Sequence, residues 1–233
     1  FSDKWLAQVS YTLSFLRGNI AGLYRSETGQ LDPNANSDFD LKSLTVNRYG
    51  SLPGDNTHEV KVYAARDFPF NEFFDGPNYM QLNLGLGYRG TSGGPTSFLG
   101  SHPIYGTSEV QILPRGTGDR LPFVHRIDGH IQYDLKLSKE AALSVYMDIF
   151  NIFNFQEVTA TDEDYALGDP VAPIVDGKPI KNKTTGKLEP DPSQLKHPDG
   201  TPFDVATEKN PNFGKPSQYQ SPRTFRFGAK ISF

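Results

Sequence analysis

The chain of 233 residues contains no cysteine, which excludes a disulfide framework, a thiolate metal site and a cysteine nucleophile. It has no run of 18 or more apolar residues, so it encodes no transmembrane helix. A dominant charge sign is missing too: 23 Lys+Arg against 27 Asp+Glu leave −4, and that mild acidity gives no electrostatic footprint for nucleic acid. The sequence opens at Phe1 with no basic segment followed by an apolar one, so any secretion leader is expected upstream. Convincing helical periodicity is absent as well. Glycine (22) and proline (18), by contrast, are abundant, which favours turns and long connections. With 36% hydrophobic and 21% charged residues, the chain is too apolar for a charge-rich disordered tail.

The one strong periodic signal is strict alternation, which marks half-buried β-strands. It occurs six times, over 4–15, 58–68, 78–89, 125–137, 143–154 and 223–233. One face of the first run carries Trp5, Ala7, Val9, Tyr11, Leu13 and Phe15, and the last carries Phe225, Phe227, Ala229, Ile231 and Phe233. The fifth run alternates Val145, Met147 and Ile149 with Ser144, Tyr146 and Asp148, then blurs from Phe150 to Phe153. Taken together, the apolar faces carry one charge, Arg66, while the opposite faces carry Glu59, Lys61, Asp67, Arg89, Arg126, Asp128, Asp134, Lys136, Asp148, Arg226 and Lys230. A surface facing lipid must be nearly free of charge and a lumen need not be. A soluble β-sandwich would also alternate, but strands of this length match the roughly 9–11 tilted residues that cross a bilayer, against about 5–6 in globular sheets.

Long connections (16–57, 90–124 and 155–222) alternate with short ones (69–77 and 138–142), which places all the long loops at one end of the sheet. Outer-membrane barrels show this asymmetry, with short periplasmic turns and long extracellular loops. The expected architecture is therefore all-β: a membrane-spanning antiparallel β-barrel segment, lipid on its apolar face and its C-terminus in the periplasm. Trp5 and Phe233 would mark the inner aromatic girdle, and Phe15, Tyr88 and Phe153 the outer one. Six strands cannot close around a lumen, and open edges in lipid cost several kcal/mol per orphaned backbone group. The chain is thus expected to be the last six strands of a larger barrel.

The terminal octet, Arg226-Phe-Gly228-Ala-Lys-Ile231-Ser-Phe233, resembles the C-terminal assembly signal of bacterial outer-membrane barrels. Longer phrases are similar to the C-terminal part of TonB-dependent outer-membrane transporters, in particular Oar-like receptors carrying a carboxypeptidase-regulatory-like domain. They are WLAQVSYTLSFLRGNIAGLY (5–24), NRYGSLPGDNTHEVKV (47–62), YGTSEVQILPRGTGDRLP (105–122), MDIFNIFNF (147–155) and VTATDEDY (158–165). The resemblance implies a barrel of about 22 strands closed by an N-terminal plug, in the outer membrane of a Gram-negative bacterium. It also implies energy coupling through TonB, insertion by the barrel-assembly machinery, and movement of a bulky solute without bond chemistry. Plug, TonB-binding motif and regulatory-like domain are not among these residues and are expected on upstream polypeptide. On this reading Arg126, Asp128, His130, Asp134, Asp148 and Arg226 face the lumen and hold the plug. A structural or adhesive surface barrel and a soluble all-β binding domain are the competing readings.

Catalytic-looking strings do not survive their context. Gly90-Thr-Ser-Gly-Gly94 matches a nucleophile elbow, but Pro95 and Pro103 sit where its helix would run. Gly116-Thr-Gly118 lacks the Gly-Lys-Ser/Thr of a phosphate loop. The five histidines lack zinc-site spacing. Asp162, Glu163 and Asp164 offer hard oxygens for Ca²⁺ but lack a regular Asp/Asn/Gly loop, so no enzyme activity and no cofactor are expected. The connection 155–222 holds ten of the 18 prolines and too few apolar residues to fold alone. It is read either as a mobile shield over the barrel mouth or as a loop that packs on other loops and helps bind a substrate or partner. In the connection before it, Arg115, Asp119 and Arg120 are the expected contacts at the mouth, with salt bridging inside the loop as the competing role.

Overall fold

The computed structural model describes residues 4–20, 22, 24–25, 30–31, 37–73, 77–166 and 168–233. Six long strands form one antiparallel sheet in chain order: β1 (Trp5–Leu13), β2 (His58–Pro69), β3 (Met80–Thr91), β4 (Val124–Lys136), β5 (Ala142–Phe150) and β6 (Thr224–Ser232). The register keeps the two chemistries apart, because each strand has a side-chain period of two and a one-residue slip would invert its faces. Apolar rows run across the sheet, such as Val9, Val62, Tyr88 and Ile127, and Tyr133, Val145 and Ala229. Among the described residues β1 and β6 have one strand partner each, and both are exposed along almost their whole length.

The strands differ from the expected spans by up to four residues at their ends. The largest correction is at β5, which stops at Phe150 instead of 154. There Asn151 and Asn154 adopt left-handed backbone (φ 53° and 54°), and the Asn151 side chain closes the corner by accepting from Phe155 N and donating to Phe155 O, both at 2.9 Å. Asparagine tolerates this conformation and bonds its own backbone locally. Phe150 lies on the polar face, which explains the blurred alternation: the guanidinium groups of Arg126 and Arg226 stack on its ring at 5.4 and 5.3 Å. The lone charge of the apolar face, Arg66, is also accounted for. Its guanidinium lies 4.6–4.8 Å from the ring centroids of Trp5, Phe68 and Phe73.

Both short connections lie at one end. One contains a helical turn, Phe70–Phe73, and the other is closed by Leu137 N to Ala141 O at 2.9 Å. At the opposite end the long connections build a cap with a core of its own: Phe98, Ile112, Leu113, Tyr165, Ala166, Val171, Leu195 and Phe203. Residues 155–222 supply five of these and 90–124 three, so neither segment could form this core alone. The structure therefore selects packing on other loops over a mobile shield. Burying each large apolar side chain contributes about 1.5–3 kcal/mol. Two further turns of helix, Lys42–Thr45 and Val205–Glu208, stand in the cap where alternation gave no helical signal.

The first long connection is sewn to the other two. Asn47, in left-handed backbone (φ 61°), directs its amide Nδ2 to the carbonyls of Gln111, Ile112 and Ile174 at 3.0–3.1 Å. Gly50 lies so close to the backbone of Arg115 that a Cβ has no room. A buried ionic knot completes the join. Asp38 bridges Arg25 (3.0 Å) and Arg48 (2.9 Å), and Arg25 also pairs with Glu109 (3.0 Å). Among the described residues two cations face two anions, and such pairing makes buried charge tolerable.

Candidate functional site

The charged face of the sheet follows from the register. His130 stands opposite Asp148, and Asp148 opposite Arg226. The Asp148 carboxylate shares a hydrogen bond with His130 Nδ1 at 2.6 Å and accepts from Arg226 Nε at 2.7 Å. Arg126 donates Nε to both oxygens of Asp128 at 2.8 Å, and Asp128 Oδ1 also accepts from Asn151 N at 2.8 Å. Asp134 accepts from Asn83 Nδ2 and from Gln132 Nε2. All six residues expected on this face thus share it, in three separate knots. A fourth knot, absent from the expected site, pairs Glu59 with Lys61 (2.9 Å) and Arg89 (2.6 Å). Only the register reveals that Lys61, Arg89 and Arg126 are directly opposite one another on three neighbouring strands.

The expected girdle residues divide between the two ends. Trp5 pairs with Arg66 close to the end of β2, and Phe233 follows Ser232, the partner of Ala142, so both stand at the end of the short connections. Phe15 and Phe153 lie just beyond β1 and β5 on the cap side, both exposed. Tyr88 bonds His125 Nδ1 at 3.0 Å, and Tyr11 bonds His58 Nδ1 at 2.8 Å on the same rim. These tyrosine–histidine pairs were not expected, because the partners are 37 and 47 residues apart. In the terminal motif, Arg226 joins the Asp148 knot, Ile231 lies on the apolar face, and Gly228 makes room for the Tyr146 ring on its strand partner.

The mouth candidates need correction. Arg115 is 2% exposed and donates Nη1 to Asn19 O at 3.0 Å. Arg120 donates Nη2 to Asp55 Oδ2 at 2.6 Å and Nη1 to the carbonyls of Asp55 and Gly93. Asp119 accepts from Leu188 N at 3.1 Å. All three tie one long connection to another, through Asn19, Asp55 and Leu188, and Arg120 also closes its own loop on the Gly93 carbonyl. Asp162, Glu163 and Asp164 are likewise used by protein donors: Asp164 N and Asn210 Nδ2, Ser97 N, and Ser108 Oγ, respectively. Burial pushes the Asp164 carboxyl up, the Ser108 hydroxyl pulls it down, and Asp162 adds to the rise. Among the described residues no three His, Asp or Glu side chains come together as a metal site.

A cavity of about 280 Å³ lies inside the cap, between Phe98, Leu121, Val158, Leu188 and Phe213. A cleft of about 410 Å³ opens where the cap meets the charged face, under the strand pair Val158–Thr161 and Pro216–Tyr219. Arg89 and Arg126 line it with Thr91, Thr159, Gln218 and Gln220, and among the described residues no carboxylate does.

No protein-family model matches the chain, and no solved structure matches it either. Among curated proteins, the TonB-dependent transporter Oar of Myxococcus xanthus is 43% identical over 238 aligned positions, covering 100% of this chain and 21% of that protein. The chain therefore spans about a fifth of the relative's length. An all-β chain with one charged and one apolar sheet face is thus similar, from end to end, to part of an Oar-type TonB-dependent transporter.

Proposed function

We propose that the chain is the C-terminal barrel segment of an Oar-like TonB-dependent transporter in the outer membrane of a Gram-negative bacterium. The likeness to a TonB-dependent transporter along the whole chain carries this reading. The two-faced sheet supports it: the apolar face meets lipid, and the charged face lines a lumen. Strands β1 and β6 each have one edge open to further strands of the same polypeptide, which complete a barrel of about 22 strands around a plug. Asp128, His130, Asp134, Asp148 and Arg226 then meet the plug through hydrogen bonds and ion pairs, and Arg126 faces the lumen beside them. Pulling by TonB shifts the plug, and a bulky solute passes with no bond made or broken, so the protein is not an enzyme. The cap is extracellular, the C-terminus is periplasmic, and Arg226, Gly228, Ile231 and Phe233 form the signal read by the barrel-assembly machinery.

The test is made on the full-length protein in its native membrane. Solute movement should stop when the proton gradient is collapsed or the TonB-binding segment is deleted, while the barrel stays inserted. Movement that survives both treatments would remove energy coupling. No movement under any condition, with partner binding intact, would leave the adhesive barrel.

A further inference from the structure

We propose that the cleft between the cap and the pair Arg89 and Arg126, with Lys61 next in their row, binds an anionic group, carboxylate or phosphate, on a hydroxyl-bearing solute of about the size of a sugar acid. The proposal uses the lumen reading only for how the solute arrives.

The row itself is the first argument. Arg89 is the direct strand partner of both Lys61 and Arg126, and like charges placed opposite one another destabilise a sheet. Among the described residues two acids, Glu59 and Asp128, are bonded to these three cations. One positive charge is left over, in a chain whose net charge is −4.

Donor geometry is the second argument. Arg126 uses only Nε on Asp128 and Arg89 uses Nε and Nη2 on Glu59. Both Nη groups of Arg126 and Nη1 of Arg89 thus remain for a ligand, and a guanidinium fork suits carboxylate and phosphate oxygens. Stacking on Phe150 fixes the plane of Arg126. Side-chain exposures of 58% and 43% leave Arg89 and Arg126 open to the cleft.

The third argument is an orphaned acceptor. Gln220 donates Nε2 to His125 O at 2.7 Å, which turns its Oε1 away from that bond, and Oε1 is buried without a partner. A buried acceptor left unpaired costs about 1–3 kcal/mol, so a small rotation of the amide that brings Oε1 to the cleft, where a ligand hydroxyl satisfies it, is favoured. Thr91, Thr159, Tyr219 and Ser221 line the same cleft. A volume of about 410 Å³ falls within the ~300–1,000 Å³ of small-molecule sites.

The test is equilibrium binding by calorimetry to the full-length protein in detergent, with glucuronate, glucose 6-phosphate, inorganic phosphate and, as the neutral control, glucose. Saturable binding of the two sugar anions is expected, at least tenfold tighter than glucose, with phosphate competing. Arg89→Gln with Arg126→Gln should weaken it at least tenfold, and the Lys,Lys pair should recover part of the loss, which separates lost charge from lost folding. Gln220→Leu should weaken the sugar anions severalfold and leave phosphate unchanged. Equal affinity for glucuronate and glucose, or full affinity in the Gln,Gln variant, overturns the proposal. So does binding that appears only after plug deletion, because the row then serves an acidic side chain of the plug. No energy source enters this measurement, so a failure of energy-coupled transport would leave its result standing.

Discussion

The sheet and the cap solve opposite problems. In the sheet the apolar residues point outward: Val9, Phe227 and Ile231 are among the most exposed side chains, and the charged groups gather on the other face. In the cap the arrangement is that of an ordinary globular core, with Phe98, Ile112 and Tyr165 sealed inside and the polar groups paired around them. The difference lies in where stability comes from. Strand pairing holds the first region, whereas contacts between segments far apart in sequence hold the second. The ionic knots follow the same division, buried in the cap, open and cation-rich at the cleft.

The comparison breaks first at the cap core. Phe98→Ala should cost about 3–5 kcal/mol there, opening residues 90–124 and 155–222 to limited proteolysis while the strands stay resistant. A uniform loss of resistance in both regions would show that they do not fold as separate units. The sheet is probed by Val145→Arg, a charge on the apolar face flanked by Tyr133 and Ala229. Near the bilayer midplane it should cost about 2–4 kcal/mol, lowering the folded yield in lipid vesicles. Gln132→Arg, on the charged face of the next strand, should leave that yield unchanged. Equal losses would mean that the apolar face does not meet lipid.

A smaller effect is expected from Asn47→Ala, which removes the amide shared by three carbonyls of two other loops. About 1–3 kcal/mol follows from leaving such acceptors unsatisfied, seen as faster hydrogen exchange at 111–112 and 174 with none at the strands. The mildest lever is pH. The Pro170 carbonyl, and then Glu208 and Asp199, hold the His197 imidazole above its usual value. Its stabilising contribution is therefore complete below about pH 6.5 and fades as pH rises through the folded value. The melting temperature of the cap should fall slightly between pH 6 and pH 9, and His197→Gln should remove that dependence. An identical pH profile in the variant would assign the slope to another group.

The sheet was legible in the sequence almost residue by residue, because a strand with two different surroundings must alternate and the alternation is local. Val145, Met147 and Ile149 against Ser144, Tyr146 and Asp148 is enough to place β5 and both its faces. The ends were less legible, since the corner at Asn151 depends on one side chain bonding its own backbone. Arg115 misled for a related reason. A charged residue in a Gly- and Pro-rich loop reads as exposed, and nothing near it in sequence announces that Gly50 and Asn47 will pack against it.

By itself, the sequence determined the six strands, which face of each is apolar, and the sharing of one end by all the long connections. Those features follow from a period of two and from loop lengths, both readable without any partner. Tertiary structure alone decided that the loops share a core, that Lys61, Arg89 and Arg126 form a row, and that Gln220 lies beside it with an unpaired oxygen. Such juxtapositions depend on strand register and on contacts across tens of residues, which local pattern does not encode.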